Sequence, residues 1–513
     1  MPRLVIALVF AALVAPICRA ADPLDEVRAY RRAHEKEILG ELVSLLEIPN
    51  VARDRENIER NAAKLVAMLE KRGIEAKLLR AGDAPPAVFG SLDVPGAART
   101  VVFYAHYDGQ PAGEGWTSEP WEPVLRDGEK DLPWSALDGE IDPEWRIYAR
   151  SASDDKGPIV AMLAALDAIR AAGLQPSVNL RFFFEGEEEA GSDHLDEILT
   201  KYRDELAADL WLFWDGPVHQ SRRGQVVFGV RGVVGLEMTV YGPARALHSG
   251  HYGNWAPNPA AMLANLLASM RDADGRVLID GFYDAVRPLG EAERRALAAI
   301  PPVDDALRHD LALGASEAGN APLVERLMLP ALNVRGVRSG GVGAEARNAI
   351  PTEARASIDF RLVPDLTPER VRELVEAHAR AEGYHIVHEP PDVATRRAHP
   401  RVVLLEWEHG YPALRTPMDL AIAREVVAAI EEARREDVVE VPHLGGSLPL
   451  YLFEEILGVP LIVTPIVNHD NNQHAPNENL RIQNLWDGID AMAAVMLRVI
   501  PSGARDQGRV GNP

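Results

Sequence analysis

Cysteine is nearly absent from this chain: a single cysteine, Cys18, occurs among 513 residues. The residues after Cys18 contain no thiol, so this part of the chain uses no disulfides. An oxidising compartment is compatible with such a composition but gains no positive support from it. Any assignment of a compartment therefore rests on other features of the sequence.

A surplus of basic residues is also missing, because 54 lysines and arginines stand against 77 aspartates and glutamates, for a formal net charge of −23. Proteins that bind nucleic acid or anionic membranes neutralise phosphates with lysine and arginine. We therefore expect no nucleic-acid partner. Solubility is the simple explanation of the acidic surplus, and metal binding is another use for some of the carboxylates.

The apolar run near the N-terminus, residues 4–17, is too short to span a membrane comfortably. The cation Arg3 precedes it, and small residues up to Ala20 and Ala21 follow it, an order typical of a secretory signal peptide. We expect residues 1–20 to be this signal peptide, with cleavage after Ala20. The expected destination is the periplasm or the exterior, without a stable membrane anchor.

The remaining composition, 47% hydrophobic and 26% charged, is ordinary for a soluble globular protein, and the chain is too long for one compact core. Predicted strands at residues 100–107, 179–184 and 209–214 alternate with a predicted helix at residues 157–172. This alternation predicts an α/β fold in which a mixed sheet is flanked by helices.

Near residue 229 the pattern changes to a long β-rich stretch, which helices and a further strand at residues 354–362 follow. We expect a smaller α+β domain, a lid or dimerisation domain, to be inserted at residues 231–397. The larger catalytic domain is then formed by residues 22–230 and 398–505.

Potential metal ligands follow several of the predicted strands. His106 ends the first apolar strand, Asp215 follows the strand at residues 209–214, and His474 lies in a polar stretch after a later strand. Each of these residues alone has a plainer explanation, such as a hydrogen-bonded turn. Because ligands bind at the carboxyl ends of strands in open α/β sheets, their shared position favours a common site.

Two acidic clusters occur in comparable places. Asp154 and Asp155 immediately precede the helix predicted at residues 157–172, where an aspartate is normally a helix cap. Glu187, Glu188 and Glu189 follow the strand at residues 179–184, where an exposed acidic turn is the plain alternative. A divalent cation would relieve the repulsion among the three glutamates, while in the aspartate pair one residue is free to cap the helix and the other to face a cation.

The ordered series of these motifs resembles the carnosinase-like di-metal peptidases, a family that includes glutamate carboxypeptidases, acetylornithine and succinyl-diaminopimelate deacylases, and aminoacylases. The resemblance spans about residues 25–500. The motifs that carry it are His106-Tyr107-Asp108, Asp154-Asp155-Lys156-Gly157, Glu188-Glu189-Ala190-Gly191-Ser192, Asp215-Gly216, and His474 shortly before Asn477-Glu478.

The resemblance implies a role for each matching residue. His106, Asp154 and Asp215 would bind one metal, and Asp154, Glu189 and His474 the other, with Asp154 bridging the two. Glu188 would be the general base and Asp108 would orient His106, whereas Glu187 would be only an acidic neighbour. The implied cofactors are two divalent ions, Zn²⁺ foremost, with Mn²⁺ or Co²⁺ as alternatives.

The inserted domain matches the family's lid. His248 resembles the lid histidine that reaches the partner's active site in dimeric relatives, which implies a homodimer. Asn348 and Arg361 correspond to lid residues that contact substrate, and an arginine can grip a carboxylate with two hydrogen bonds. Gly446 and Ser447 are expected in a turn at the start of a helix, facing the same end of the substrate.

The chain departs from the family pattern in two places. Ala149-Arg150-Ser151 stands where relatives usually show Gly-Arg-Gly. Before it lies an additional stretch, residues 129–146, here called the extra segment. Loops of this length are often functional, so we expect the extra segment to shape the substrate pocket.

Three functions are compatible with the sequence. The first is a metallopeptidase of dipeptidase or carboxypeptidase type, and the second is an N-acyl amino acid deacylase that uses the same metals and water. The third is a noncatalytic protein that binds peptides or metal. The third is disfavoured because all the ligand positions and the base Glu188 are intact.

Overall fold

The computed structural model describes residues 22–499, so the expected signal peptide at residues 1–20 lies outside the described residues. The strands of the described chain are β1 Glu75–Leu79, β2 Ala87–Leu92, β3 Thr100–His106, β4 Val124–Asp127, β5 Lys130–Leu132, β6 Arg146–Tyr148, β7 Asn179–Glu185, β8 Leu210–Phe213, β9 Gln225–Val227, β10 Gly229–Tyr241, β11 Leu247–His248, β12 Ala331–Arg338, β13 Ala349–Ile350, β14 Glu353–Leu362, β15 His385–Val387, β16 Val402–Trp407, β17 Leu414–Arg415, β18 Val439–Val441, β19 Leu444–Ser447, β20 Leu461–Val463 and β21 Asn479–Arg481.

The helical segments of the same residues follow in chain order. They are α1 Pro23–Ala33, α2 Glu35–Leu46, α3 Arg55–Glu70, α4 Lys156–Ala171, α5 Leu195–Lys201, α6 Ser249–Tyr252, α7 Pro259–Met270, α8 Glu291–Ala299, α9 Asp304–Asp310, α10 Glu317–Asn320, α11 Leu323–Arg326, α12 Pro368–Ala381, α13 Val393–Ala398, α14 Ala421–Arg434 and α15 Ile482–Arg498. Short 3-10 turns lie at Trp134–Asp138, Glu188–Ala190 and Gly343–Glu345, and a π-helical turn at Phe453–Leu457.

The larger sheet is mixed and has the strand order β1-β2-β7-β3-β8-β20-β9-β18. Its centre is parallel, because β7, β3, β8 and β20 run in the same direction. Side chains of β3 alternate between two cores: Phe103 packs on the side of α4 and α15, and Tyr104 on the side of α5. Burial on both faces accounts for the continuous apolar runs of these strands.

The smaller sheet contains the path β12-β14-β10-β16-β15, with β17 and β19 also pairing with β10. Helices α7 and α12 supply apolar side chains to its core, among them Leu263 and Val371. The predicted α/β fold with a smaller α+β lid is confirmed. Because β16 belongs to this sheet, its strands continue past residue 397, where we expected the inserted domain to end.

The extra segment forms part of a third sheet, in the order β21-β6-β4-β5. Strand β6 pairs antiparallel with β21, so that Arg146 lies opposite Arg481. The extra segment is therefore joined to β21, the strand that follows the loop containing His474.

The expected turn at Gly446 and Ser447 is wrong in one respect. Both residues lie in strand β19, which pairs in parallel with β10, where Ser447 lies opposite Arg231. Helical structure resumes only after it, and ends in the π-helical turn at Phe453–Leu457. Glycines are usually a turn signal, and this is why the sequence suggested a turn. The pairing of β19 with β10 uses main-chain groups and does not depend on the side chains, so nothing in the sequence indicated a strand.

Across residues 22–499, none of the helices combines the length and the apolarity that crossing a bilayer demands.

Candidate metal centre

The site lies at the carboxyl edge of the parallel centre of the larger sheet. His106 is the last residue of β3, Glu188 and Glu189 form a turn shortly after β7, and Asp215 follows β8 closely. These strands are parallel neighbours, so their carboxyl ends open at one edge. The residues that follow these strands in the sequence therefore also lie close together in space.

Asp154 lies between two histidines. His106 Nε2 is 2.9 Å from Asp154 Oδ1, and His474 Nε2 is 3.1 Å from Asp154 Oδ2. Glu189 Oε2 lies 3.2 Å from the same nitrogen of His474. One carboxylate thus faces both imidazoles, which is the arrangement that a ligand shared by two ions requires.

Two groups of potential ligands result, each with ligand atoms within 4.8 Å of one another. One group contains His106, Asp155 and Asp215, and the other contains Asp154, Glu189 and His474. The five expected metal ligands are all brought together in these groups. Asp155 joins them as a carboxylate that the sequence did not single out as a ligand. The side chain of Asp155 makes no capping hydrogen bond to α4, and its Oδ2 accepts from the backbone N–H of His106 at 3.3 Å.

The carboxylates of this site are buried close to one another, and this raises most of their pKa values. Burial and the charge of Asp154 raise the pKa of Asp215 to about 6 and that of Glu189 to about 8. Burial likewise raises the pKa of Asp155 and of Glu188 well above the ordinary value. Asp154 is the exception, because the nearby imidazoles of His106 and His474 outweigh its burial and lower its pKa.

The donor set fits a pair of divalent cations. Five carboxylates and two imidazoles converge, and Asp154 Oδ2 and Asp155 Oδ1 are buried without a well-aligned hydrogen-bond donor in the described chain. Buried acceptors without donors are costly unless a cation satisfies them. Carboxylate oxygen and imidazole nitrogen are ligands that Zn²⁺ and Mn²⁺ take in proteins.

Asp108 supports this site from behind. Its two carboxylate oxygens accept hydrogen bonds from the backbone N–H groups of Glu188 and Glu189, at 3.1 and 3.0 Å. One of these oxygens also lies 3.4 Å from His106 Nδ1. Asp108 thus lies against the His106 ring, whose Nδ1 is 3.2 Å from the Asp108 carbonyl oxygen, and in addition fixes the acidic turn after β7.

The structure separates the roles of the three consecutive glutamates. Glu187 turns away and pairs with His194, with 2.9 Å between Glu187 Oε2 and His194 Nδ1. Glu188 Oε2 lies 3.9 Å from His106 Nε2, and Glu189 reaches His474. Glu188 therefore stands beside the ligand groups with a partly buried carboxylate, which supports its assignment as the base.

Glu478 supports the site through contacts that the sequence did not reveal. Its fully buried carboxylate accepts from the backbone N–H groups of Ser151, Ser153 and Asp154 at 2.9 to 3.0 Å. It also pairs with Arg150 Nη1 at 2.8 Å. The sequence pointed to Glu478 only through its place shortly after His474 in the same motif. The motif does not show which groups the Glu478 side chain contacts.

Gln110 was missed as well. Its Nε2 donates to Glu189 Oε2 at 2.8 Å, which holds this carboxylate toward His474. Its position soon after Asp108, at the same strand end, was the only available signal.

The lid residues form two separate pairs. His248 and Asn348 are exposed neighbours: strand β11 pairs with β13, and the N–H of Ser249 donates to the carbonyl of Asn348 at 3.0 Å. His248 Nδ1 accepts from the backbone N–H of Gly250 at 3.1 Å, and its side chain belongs to neither ligand group.

Arg361 and Ser447 form the second pair, with 2.9 Å between Arg361 Nη1 and Ser447 Oγ. Asp359 accepts from Arg361 Nε at 3.0 Å. The guanidinium is thereby oriented from one side, while 37% of the Arg361 side chain is exposed. Gly446 lies beside Ser447 in β19.

The sequence profile of peptidase family M20/M25/M40 matches residues 102–498. The chain is 28% identical over 429 residues to a Cys-Gly metallodipeptidase of Candida albicans, covering 80% of this chain and 81% of the relative. It is 26% identical over 512 residues to the Beta-Ala-His dipeptidase of Homo sapiens, covering 93% and 92%.

Solved structures agree with these matches. An M20 family metallo-carboxypeptidase from Sulfolobus solfataricus superposes with a TM-score of 0.71 at 28% identity, covering 90% of this chain and 98% of that one. The profile covers well over half of the chain, and the expected kinship with carnosinase-like metallopeptidases is confirmed. The chain belongs to peptidase family M20/M25/M40 and is a metal-dependent peptidase.

Proposed function

We propose that this protein hydrolyses dipeptides and short peptides and releases an amino acid, with two divalent ions per chain, preferably Zn²⁺. The observation that carries the proposal is the position of Asp154 between His106 and His474, with Glu188 beside them. We assign one ion to His106, Asp154 and Asp215, and the other to Asp154, Glu189 and His474. Asp155 is close enough to assist the first group.

When bound, the two ions would acidify a water molecule, polarise the scissile carbonyl and stabilise the oxyanion. Glu188 accepts the proton of the attacking water and returns it to the amine nitrogen as the C–N bond breaks. Asp108 keeps Glu188 in place through the backbone N–H of that residue. In the metal-free chain, burial raises the pKa of Glu188 above its ordinary value.

The Arg361–Ser447 pair is the proposed grip for the carboxylate of the substrate. Arg361 keeps a partly exposed guanidinium that Asp359 orients, and Ser447 adds a hydroxyl beside it. A guanidinium binds a carboxylate through two parallel hydrogen bonds, which favours substrates with a free C-terminus. The names of the dipeptidase relatives support the same substrate class.

The decisive experiment compares hydrolysis of a dipeptide panel with hydrolysis of N-acetyl amino acids by the same metal-loaded preparation. We expect turnover of several dipeptides and slower release of acetate. Inactivity on every dipeptide together with rapid deacylation would make the chain a deacylase. Binding of peptides without turnover of either class would make it a noncatalytic binding protein.

A homodimer is part of this proposal, because His248 lies at the exposed end of β11, outside both ligand groups. His248, together with Asn348, would complete the active site of the partner subunit. Co-expression of His248→Ala and Glu188→Gln chains tests this arrangement. Mixed dimers should recover activity that neither variant shows alone, whereas a monomer that is fully active at high dilution would refute it.

We also propose that the chain is exported, on the strength of residues 1–20 alone. N-terminal sequencing of the protein recovered after expression with its natural N-terminus checks this directly. A mature chain that begins at Ala21 is expected, and a chain that retains residues 1–20 inside the cell would contradict export.

A further inference from the structure

The loop at residues 468–478, here called the His474 loop, connects the end of the larger sheet to β21. Three of its non-glycine residues have left-handed backbone angles: Asn472 at φ 56°, His474 at 61° and Asn477 at 62°. Such conformations persist only where the surroundings hold them. His474 is also half exposed, so packing around its own side chain cannot be what fixes the loop.

Asp470 is the charged anchor of this loop. Its carboxylate lies 2.6 Å from Arg146 Nη2 and 3.0 Å from Arg481 Nη2. The side-chain amide of Asn468 donates to the same carboxylate at 3.0 Å. Although partial burial acts to raise it, these contacts hold the pKa of Asp470 well below its usual range.

Arg146 contacts both ends of the loop. Besides the Asp470 carboxylate, its guanidinium donates to the Asp470 carbonyl at 3.1 Å and to Asn479 Oδ1 at 2.9 Å. Asp470 stands near the start of the His474 loop and Asn479 directly after its end. The Arg146 side chain therefore fixes the distance between Asp470 and Asn479, and His474 lies in the chain between these two residues.

The rest of the extra segment fastens Arg146 in place. Strand β6 pairs with β21, and the backbone N–H of Ile482 donates to the carbonyl of Trp145 at 2.9 Å. Glu144 lies 3.3 Å from Arg481 Nε and 2.5 Å from Arg222 Nη2. The extra segment thus adds a network of backbone pairs and ion pairs around the base of the His474 loop.

We propose that the extra segment positions His474 for metal binding, with Arg146 and Asp470 as positioning residues that set the affinity of the ion assigned to Asp154, Glu189 and His474. The proposal rests on the proposed two-metal function. It gives the extra segment a role in the metal centre, in place of the substrate-pocket role that the sequence alone suggested.

The test measures the affinity of each of the two Zn²⁺ sites in the full chain, by competition with a chelator of known affinity. Arg146→Met keeps the aliphatic length but removes every guanidinium contact. We expect one site to weaken about 10- to 100-fold, as for other supports of metal ligands, and the other to keep its affinity. Asp470→Asn, which preserves shape, should weaken the same site.

Arg126→Met is the matched control. Arg126 lies on β4 of the same sheet and pairs with Asp131 at 2.6 Å, and within the described chain it makes no hydrogen bond or ion pair with the His474 loop. It should leave both Zn²⁺ affinities unchanged even if the sheet loses stability. Equal effects of Arg146→Met and Arg126→Met, or unchanged affinities in both Arg146→Met and Asp470→Asn, would overturn the positioning role alone. A wild-type chain that binds fewer than two ions would overturn it together with the proposed function.

Discussion

The carboxylate of Glu478 accepts a hydrogen bond from the backbone N–H of Asp154 at 2.9 Å, across 324 residues of sequence. Further bonds to Ser151 and Ser153 hold the loop that presents Asp154 between the two histidines. Arg150 balances the charge of this buried carboxylate. The shared ligand of the proposed metal centre is therefore fixed from the C-terminal part of the chain.

Replacing Glu478 by Gln should destabilise the fold and reduce activity together. An amide has one acceptor oxygen in place of two and leaves Arg150 buried without its counter-charge, which costs about 3–5 kcal/mol. Denaturant unfolding of the metal-free variant measures this loss in the free energy of unfolding. Glu59→Gln is the control, since Glu59 pairs with Arg80 at the exposed surface, and its loss should cost below about 1 kcal/mol. Equal costs for the two variants would contradict the role of Glu478.

Glu188→Gln should lower kcat by about 100- to 10,000-fold while both ions stay bound, because an amide cannot accept the water's proton. Dipeptide turnover and metal content are measured on the same preparation. Glu187→Gln is the matched neighbour, and its carboxylate faces His194 instead of the ligands, so its activity should stay near wild type. Loss of activity in Glu187→Gln with retention in Glu188→Gln would reverse the assignment of the base.

Much of this site could be predicted from the sequence because its information is local. An apolar run that ends in His106 or precedes Asp215 places each ligand at a strand end, and parallel strands bring such ends to one edge. The choice of Glu188 over Glu187 also follows from a local motif, and the opposite orientation of the two side chains agrees with it.

Other parts of the site depend on contacts between distant residues, which a single sequence does not reveal. Arg146 and Asp470 are 324 residues apart, and neither belongs to a recognisable motif. The glycines around Ser447 indicated a turn, yet β19 is formed by backbone pairing, and Leu327 packs within 3.1 Å of where a Gly445 Cβ would lie. Glycine serves close packing there.

His443 should make stability depend on pH between about 4 and 6.5. Burial, with the cations Arg415 and Arg231 nearby, lowers the pKa of His443 to about 4. As the pH falls below about 6.5, His443 becomes protonated in the unfolded chain but stays neutral in the folded chain. The free energy of unfolding therefore falls by about 3 kcal/mol in total by pH 4. At higher pH this loss is absent.

Denaturant unfolding of the metal-free wild type and of His443→Gln, at several pH values across this window, isolates the effect. The difference between the two proteins should change by about 3 kcal/mol with pH, since glutamine does not titrate. A pH-independent difference would show that His443 keeps an ordinary pKa in the folded chain.

The central claim is a metal centre in which two ions share the ligand Asp154. The most direct test is a Zn²⁺ titration of protein freed of metal by a chelator, with metal content and dipeptide hydrolysis measured at each step. We predict that activity rises until two ions are bound per chain, and that Asp154→Asn weakens binding of both ions by at least about tenfold. Full activity with one ion, or after complete removal of metal, would contradict the account.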